Sequence, residues 1–146
     1  MENVWVNGRL CRILVGYDAS VESEKALEAA LALGESTDSR VLVLSVARPP
    51  EPQTAGGATA FPNGASARLE KALRRLRDRV RHNGIQIETQ VAVGHPAEEI
   101  IRKAEQNHVD LIVLGHRGTS PIEDLTLGSV SEQVLNHAPC PVMVTR

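Results

Sequence analysis

Two short runs carry residue types suited to holding a phosphate. Gly115-His116-Arg117-Gly118 is followed, after nine residues, by Gly128-Ser129-Val130-Ser131. The first run ends an apolar stretch, Val109 to Leu114, that reads as a buried strand; the second leads into Glu132 to His137, which reads as a helix. Glycine permits positive φ and close approach of a ligand to the backbone. The unpaired N–H groups and positive dipole end of a helix then favour an anion. The hydroxyls of Ser129 and Ser131 can add donors or bind a metal ion held by the phosphates. Ser129 stands three residues before Glu132, so a capping box is an alternative use of its side chain.

Other chemistry is absent from the chain. There is no G-x-x-x-x-G-K-[ST] loop, and so no lysine set on terminal phosphates. No nucleophile elbow or Ser–His–Asp set is present. Cys11 and Cys140 are too few for a disulfide framework or a four-cysteine zinc site. The five histidines are scattered, and His116, though inside the glycine loop, has no partner that identifies it as a base. These residues suit binding better than turnover, and any hydrolysis of a bound phosphate compound is expected to be slow.

The chain of 146 residues is expected to form one domain spanning 1–146. Its only aromatics are Trp5, Tyr17 and Phe61, so the core must be built from Val, Leu, Ile and Ala, as in a parallel sheet covered by helices. A net charge of −2 gives no global attraction to nucleic acid or to an anionic membrane. No apolar run is long enough to span a bilayer and no signal peptide is recognised, so a cytoplasmic location is expected.

The elements that must position the glycine runs follow from periodicity. Strands are predicted over Leu10 to Gly16, Arg40 to Ala47, Ile85 to Val93, Val109 to Leu114 and Val142 to Val144. The strict alternation of Ile85, Ile87, Thr89, Val91 and Val93 places the third at a sheet edge. Helices are predicted from Val21 to about Leu33, capped by Ser20 and ended by Gly34; from Ser66 to Asn83-Gly84; from His95-Pro96; and from Gly128 to His137. Leu69, Leu73, Leu76 and Val80 form the apolar stripe of the second helix. That helix also bears Arg68, Lys71, Arg74, Arg75, Arg77, Arg79 and Arg81; without an aromatic among them to stack a base, they read as a solvated face. Residues 48–65, rich in Pro and Gly, cannot form a helix or central strand and read as a long flexible loop, either a lid or a linker. Strand–helix units repeated four times and closed by a strand argue a parallel α/β sheet with helices on both faces.

The glycine spacing, together with Ile13-Leu14-Val15-Gly16-Tyr17-Asp18-Ala19-Ser20 and His137-Ala138-Pro139-Cys140-Pro141-Val142, resembles the nucleotide-binding form of the universal stress protein family. The resemblance implies a five-stranded, Rossmann-like sheet of the adenine nucleotide alpha hydrolase type, with strand order 3-2-1-4-5. Asp18 and Gly115 would then meet at the switch point, where such sheets hold ligands. By the same resemblance Asp18 sits against ribose or adenine, with a turn or cap role as the alternative. Val46 offers its backbone to the adenine edge, and Arg117 lies beside the phosphates held by Gly115, Gly118, Gly128, Ser129, Val130 and Ser131. The implied ligand is ATP or a related adenine nucleotide with Mg2+ or Mn2+, acting as a switch or sensor in stress response toward an unknown protein partner. The last strand would pair with its own copy in a homodimer, covering an exposed edge. The rival readings are a nucleotide-free dimeric interaction protein and a slow ATPase. Where the family often carries basic residues between the second and third glycines, this chain has Glu123, Asp124 and Pro121. Those acids are expected to weaken ATP or to favour a ligand with fewer phosphates.

Overall fold

The computed structural model describes residues 9–49, 63–80, 84–116 and 128–146. Five parallel strands form one sheet in the order β3-β2-β1-β4-β5. They are β1 (Arg12–Gly16), β2 (Arg40–Ala47), β3 (Ile87–Val93), β4 (Leu111–Gly115) and β5 (Val142–Thr145). Between them run α1 (Val21–Thr37), α2 (Asn63–Val80), α3 (Pro96–Gln106) and α4 (Ser129–His137). The fold class, the strand order and the edge position of β3 are as expected from the sequence.

The central strands are apolar on both faces because both faces are covered. Ile13, Val15, Val41, Val43, Leu111 and Val113 pack against Ala26, Leu27 and Ala30 of α1 and Leu73, Leu76 and Val80 of α2. Leu14, Leu42, Leu44, Ile112 and Leu114 pack against Ala97, Ile100 and Ala104 of α3 and Val134 of α4. The register pairs Ile13 with Val41 on one side and with Leu111 on the other, so like-facing side chains form continuous rows across the sheet.

Several boundaries differ from those read in the sequence. Gly34 does not end α1. The helix runs on to Thr37 and stops at Asp38, which takes the left-handed conformation at φ 54. Gly34 has a packing role instead: a Cβ there would come within 2.9 Å of Val41 Cγ2, so its absence lets the helix lie close on β2. The Pro/Gly-rich stretch is shorter than read, since residues 63–65 are already helical and α2 begins at Asn63 rather than Ser66. The rest of that stretch, from residue 50 to 62, lies outside the described residues. Strands β1, β3 and β4 each start two residues later than predicted. Among the described residues no helix is long and apolar enough to cross a membrane.

Candidate functional site

Strand order creates the site. β1 and β4 are neighbours, yet α1 leaves for one face of the sheet and α4 for the other. A crevice therefore opens beyond their carboxyl ends. Of the residues singled out in the sequence, Asp18, Val46, Gly115, Gly128, Val130 and Ser131 line it. Arg117 and Gly118 lie outside the described residues, as do Pro121, Glu123 and Asp124.

The turn after β1 is firmly held. Tyr17 N donates to Leu44 O at 2.9 Å, and the buried Ser45 hydroxyl donates to Tyr17 O at 2.6 Å. Asp18 Oδ1 accepts from Ser20 N at 3.0 Å, and Asp18 N donates to Ser23 Oγ at 3.3 Å. Asp18 is thus both a turn residue and a wall of the crevice. Ala19 sits at φ 66, a conformation alanine seldom adopts, so the turn stores some strain at the crevice rim. Ser20 caps α1, accepting from Ser23 N at 3.1 Å, and Glu22 and Glu24 occupy the first turn. The positive end of α1 is therefore already answered by oxygen ligands and carboxylates.

The start of α4 differs. Gly128 is the N-cap, with φ −60 and no side-chain hydrogen bond to the first turn. Gly128, Val130 and Ser131 line the same crevice, and the first-turn N–H groups of a helix have no partner within it. This is the end suited to an anion. Ser129 occupies the first helical position and is exposed, so the predicted capping box is not formed, and its side chain is not part of the crevice wall. The Ser131 hydroxyl donates to Gly115 O at 3.3 Å and ties α4 to the end of β4.

Neither Gly115 nor Gly128 has a positive φ. Gly115 is demanded by contact: an added Cβ would lie 2.5 Å from the carbonyl carbon of Glu22, in the first turn of α1. The glycine lets a helix start press against a strand end, which brings Asp18 and α4 to one crevice. His116 N donates to Thr145 O at 2.8 Å and extends the pairing of β4 with β5.

Among the lining residues not assigned to the site from the sequence are Tyr17, Glu22 and Arg48. Arg48 follows β2 directly, and the neighbouring position of β2 and β1 is the signal that points to it. It is the one basic side chain among the described residues that line the crevice, against two carboxylates, Asp18 and Glu22. Tyr17 is 7 % exposed and its hydroxyl donates to Glu24 Oε1 at 2.6 Å. Burial, and then the Glu24 carboxylate, push its pKa up to about 12. Glu24 Oε2 in turn pairs with Arg79 of α2 at 3.0 Å. No group of three or more metal-ligating side chains occurs among the described residues.

A larger hollow, of about 600 Å³ against about 150 Å³, lies at the opposite end of the sheet beside Arg12, Arg40 and Glu88. Size favours it, but dipole direction does not. Helix carboxyl ends lie at that end of a parallel sheet, whereas the start of α4 lines the smaller crevice.

The family model described as "Universal stress protein family" matches residues 11–146. The chain is similar to universal stress protein YxiE of Bacillus subtilis, with 34 % identity over 145 residues, covering 92 % of this chain and 98 % of the relative. Among solved structures it is similar to universal stress protein UspA from Lactobacillus plantarum, with TM-score 0.81, 28 % identity, and coverage of 96 % of this chain and 100 % of that one. A universal stress protein family protein from Arabidopsis thaliana, solved with AMP bound, has the same fold at TM-score 0.69 and 22 % identity, covering 92 % of this chain and 90 % of that chain.

Proposed function

The chain belongs to the universal stress protein family, and from that premise we propose that its crevice binds an adenine nucleotide whose occupancy acts as a switch toward a protein partner. One observation carries the reading. Asp18, Val46 and the uncapped start of α4 come from three distant parts of the chain and line one crevice. The fit is chemical as well as positional. The phosphate takes the first-turn N–H groups around Val130 and Ser131, Asp18 accepts from ribose or base, and the backbone of Val46 meets the adenine edge. A relative of this fold has been solved with AMP.

The charge balance of the wall bears on which nucleotide it takes. Asp18 and Glu22 oppose one cation, Arg48, among the described lining residues. A triphosphate adds charge that this wall repels, so AMP binds at least as tightly as ATP when no metal is present. Mg2+ or Mn2+ held by the phosphates offsets that repulsion. Ser129, exposed at the start of α4, would offer its hydroxyl to such an ion. The chain acts as a homodimer through β5, whose outer edge has no strand partner among the described residues.

The test is to denature freshly purified protein, identify released small molecules by mass spectrometry, and titrate AMP and ATP calorimetrically with and without Mg2+. Copurified adenine nucleotide, or micromolar affinity lost in folded Asp18→Ala and Val46→Trp variants, supports the reading. No bound nucleotide and no heat at millimolar AMP or ATP refutes it.

A further inference from the structure

We propose that the exposed basic stripe of α2 is a docking surface for an acidic segment of a partner protein. Arg68, Lys71, Arg75 and Arg79 recur at intervals of three, four and four residues, and all are exposed. On an α-helix this spacing confines them to an arc of about 80° and a length of about 16 Å. The stripe borders the apolar face formed by Leu73, Leu76 and Val80, so packing fixes its direction. Over Asn63–Val80 the helix holds six basic and two acidic residues, a net charge of +4, in a chain whose total is −2. The rest of the chain therefore carries a net charge of −6, and α2 holds six of the sixteen basic residues.

The arrangement is unfavourable for the helix alone. Arg68 with Lys71, Lys71 with Arg75, and Arg75 with Arg79 are like-charge pairs at the spacings where side chains meet. The first turn has no acidic residue to complement the dipole, whereas Arg77 and Arg79 in the last turn are favourably placed. Of the four, only Arg79 forms an ion pair among the described residues, with Glu24. Asp78 borders the lower end of the stripe, and no ion pair forms to it among the described residues. Acids answer only part of the helix: Glu70 and Asp78 each stand four residues from Arg74, Asp78 stands three from Arg75, and Glu24 pairs with Arg79, so Arg68 and Lys71 are the charges left for an acidic surface to cover.

The geometry favours a peptide over a nucleic acid. A duplex presents a charge about every 1.7 Å and continues past the 16 Å stripe, onto a surface of the same sign. No aromatic side chain lies in α2 to stack a base. A short segment with carboxylates three or four residues apart matches the stripe and ends where it ends. The stripe also reaches the crevice. Arg79 is held by Glu24, Glu24 accepts from the Tyr17 hydroxyl, and Tyr17 lines the crevice. A docked carboxylate competes with Glu24 for Arg79.

The experiment uses the full chain and a fluorescein-labelled, alanine-based helical peptide with glutamates spaced three and four apart. The same peptide with glutamines and a short mixed-sequence DNA duplex are comparators. Anisotropy at low salt is expected to give micromolar binding of the glutamate peptide and none of the glutamine peptide. In the Arg68→Glu/Lys71→Glu/Arg75→Glu variant, affinity should fall at least tenfold. In Arg74→Glu/Arg77→Glu, whose changes lie outside the arc, it should fall less than twofold. The glutamine series Arg68→Gln/Lys71→Gln/Arg75→Gln gives the same answer if charge reversal disturbs folding. The peptide should also slow amide exchange in α2. Tighter binding of the duplex, no peptide binding, or equal losses in the two reversal variants would overturn the proposal.

Discussion

Replacing Gly115 by alanine is expected to unseat α1 from β4. The added methyl carbon would stand 2.5 Å from the carbonyl carbon of Glu22 and 2.9 Å from its Cβ, with the carbonyl oxygen nearer still. Ordinary contact begins at 3.4 Å, so the helix start and the strand end must part by roughly 0.9 Å. The nearest atoms are backbone, and that backbone is fixed by the Ser20 cap, so no rotamer change relieves the clash. Overpacking of a core costs about 1–3 kcal/mol where side chains can shift; against backbone the cost sits at the upper end, about 3 kcal/mol. For a chain of this size that corresponds to a fall in Tm of roughly 6–12 °C. Thermal and urea unfolding followed by circular dichroism measures it. Gly64→Ala is the control: its methyl meets nothing within 4 Å. At the second position of α2 that change should leave the midpoint unchanged or slightly raised. A Gly115→Ala protein that unfolds within about 2 °C of the parent would refute the contact between α1 and β4. It would return Gly115 to the role first read for it, a close approach by ligand.

Three further outcomes follow from the same geometry. Tyr17 is the only tyrosine, so alkaline titration of its ultraviolet absorbance reads this one hydroxyl. Its midpoint should lie near 12 rather than 10, and a midpoint near 10 would mean that the hydroxyl is neither buried nor held by Glu24. Because the folded state holds this proton more tightly than the unfolded chain, the stabilisation is complete below about pH 10 and is lost as pH rises toward 12. Cys140 is half-buried, and burial with the nearby Asp110 charge raises its pKa to about 11, whereas Cys11 is exposed. Alkylation at pH 8, mapped by mass spectrometry, should therefore label Cys11 first, since roughly one Cys140 thiol in a thousand is ionised; equal rates would show that Cys140 is open to solvent. Ser20→Ala removes the cap on Ser23 N and should cost about 1 kcal/mol in urea unfolding; an unchanged midpoint would show that α1 does not depend on that bond.

The sequence by itself determined the strands, the helices and the class of sheet. Ile13-Leu14-Val15 and Val41-Leu42-Val43-Leu44 have no polar face to turn to water, so they can only be interior strands. The one-sided alternation of β3 likewise places it at an edge. Ser20 and Pro96 fix two helix starts by local chemistry alone. What local chemistry does not contain is contact between distant segments. The capping-box pattern at Ser129 was legible, but Gly128 is the N-cap and Ser129 is already the first helical residue. Gly34 had the signature of a helix end, yet close packing on Val41 carried the helix past it. Gly115 was legible as a glycine that matters. Only the tertiary structure showed why: the first turn of α1, almost a hundred residues earlier, occupies the space a side chain would need. Arg48, Glu22 and Tyr17 entered the site in the same way. Their roles depend on which strand ends are neighbours, and hydrogen bonding across the sheet decides that.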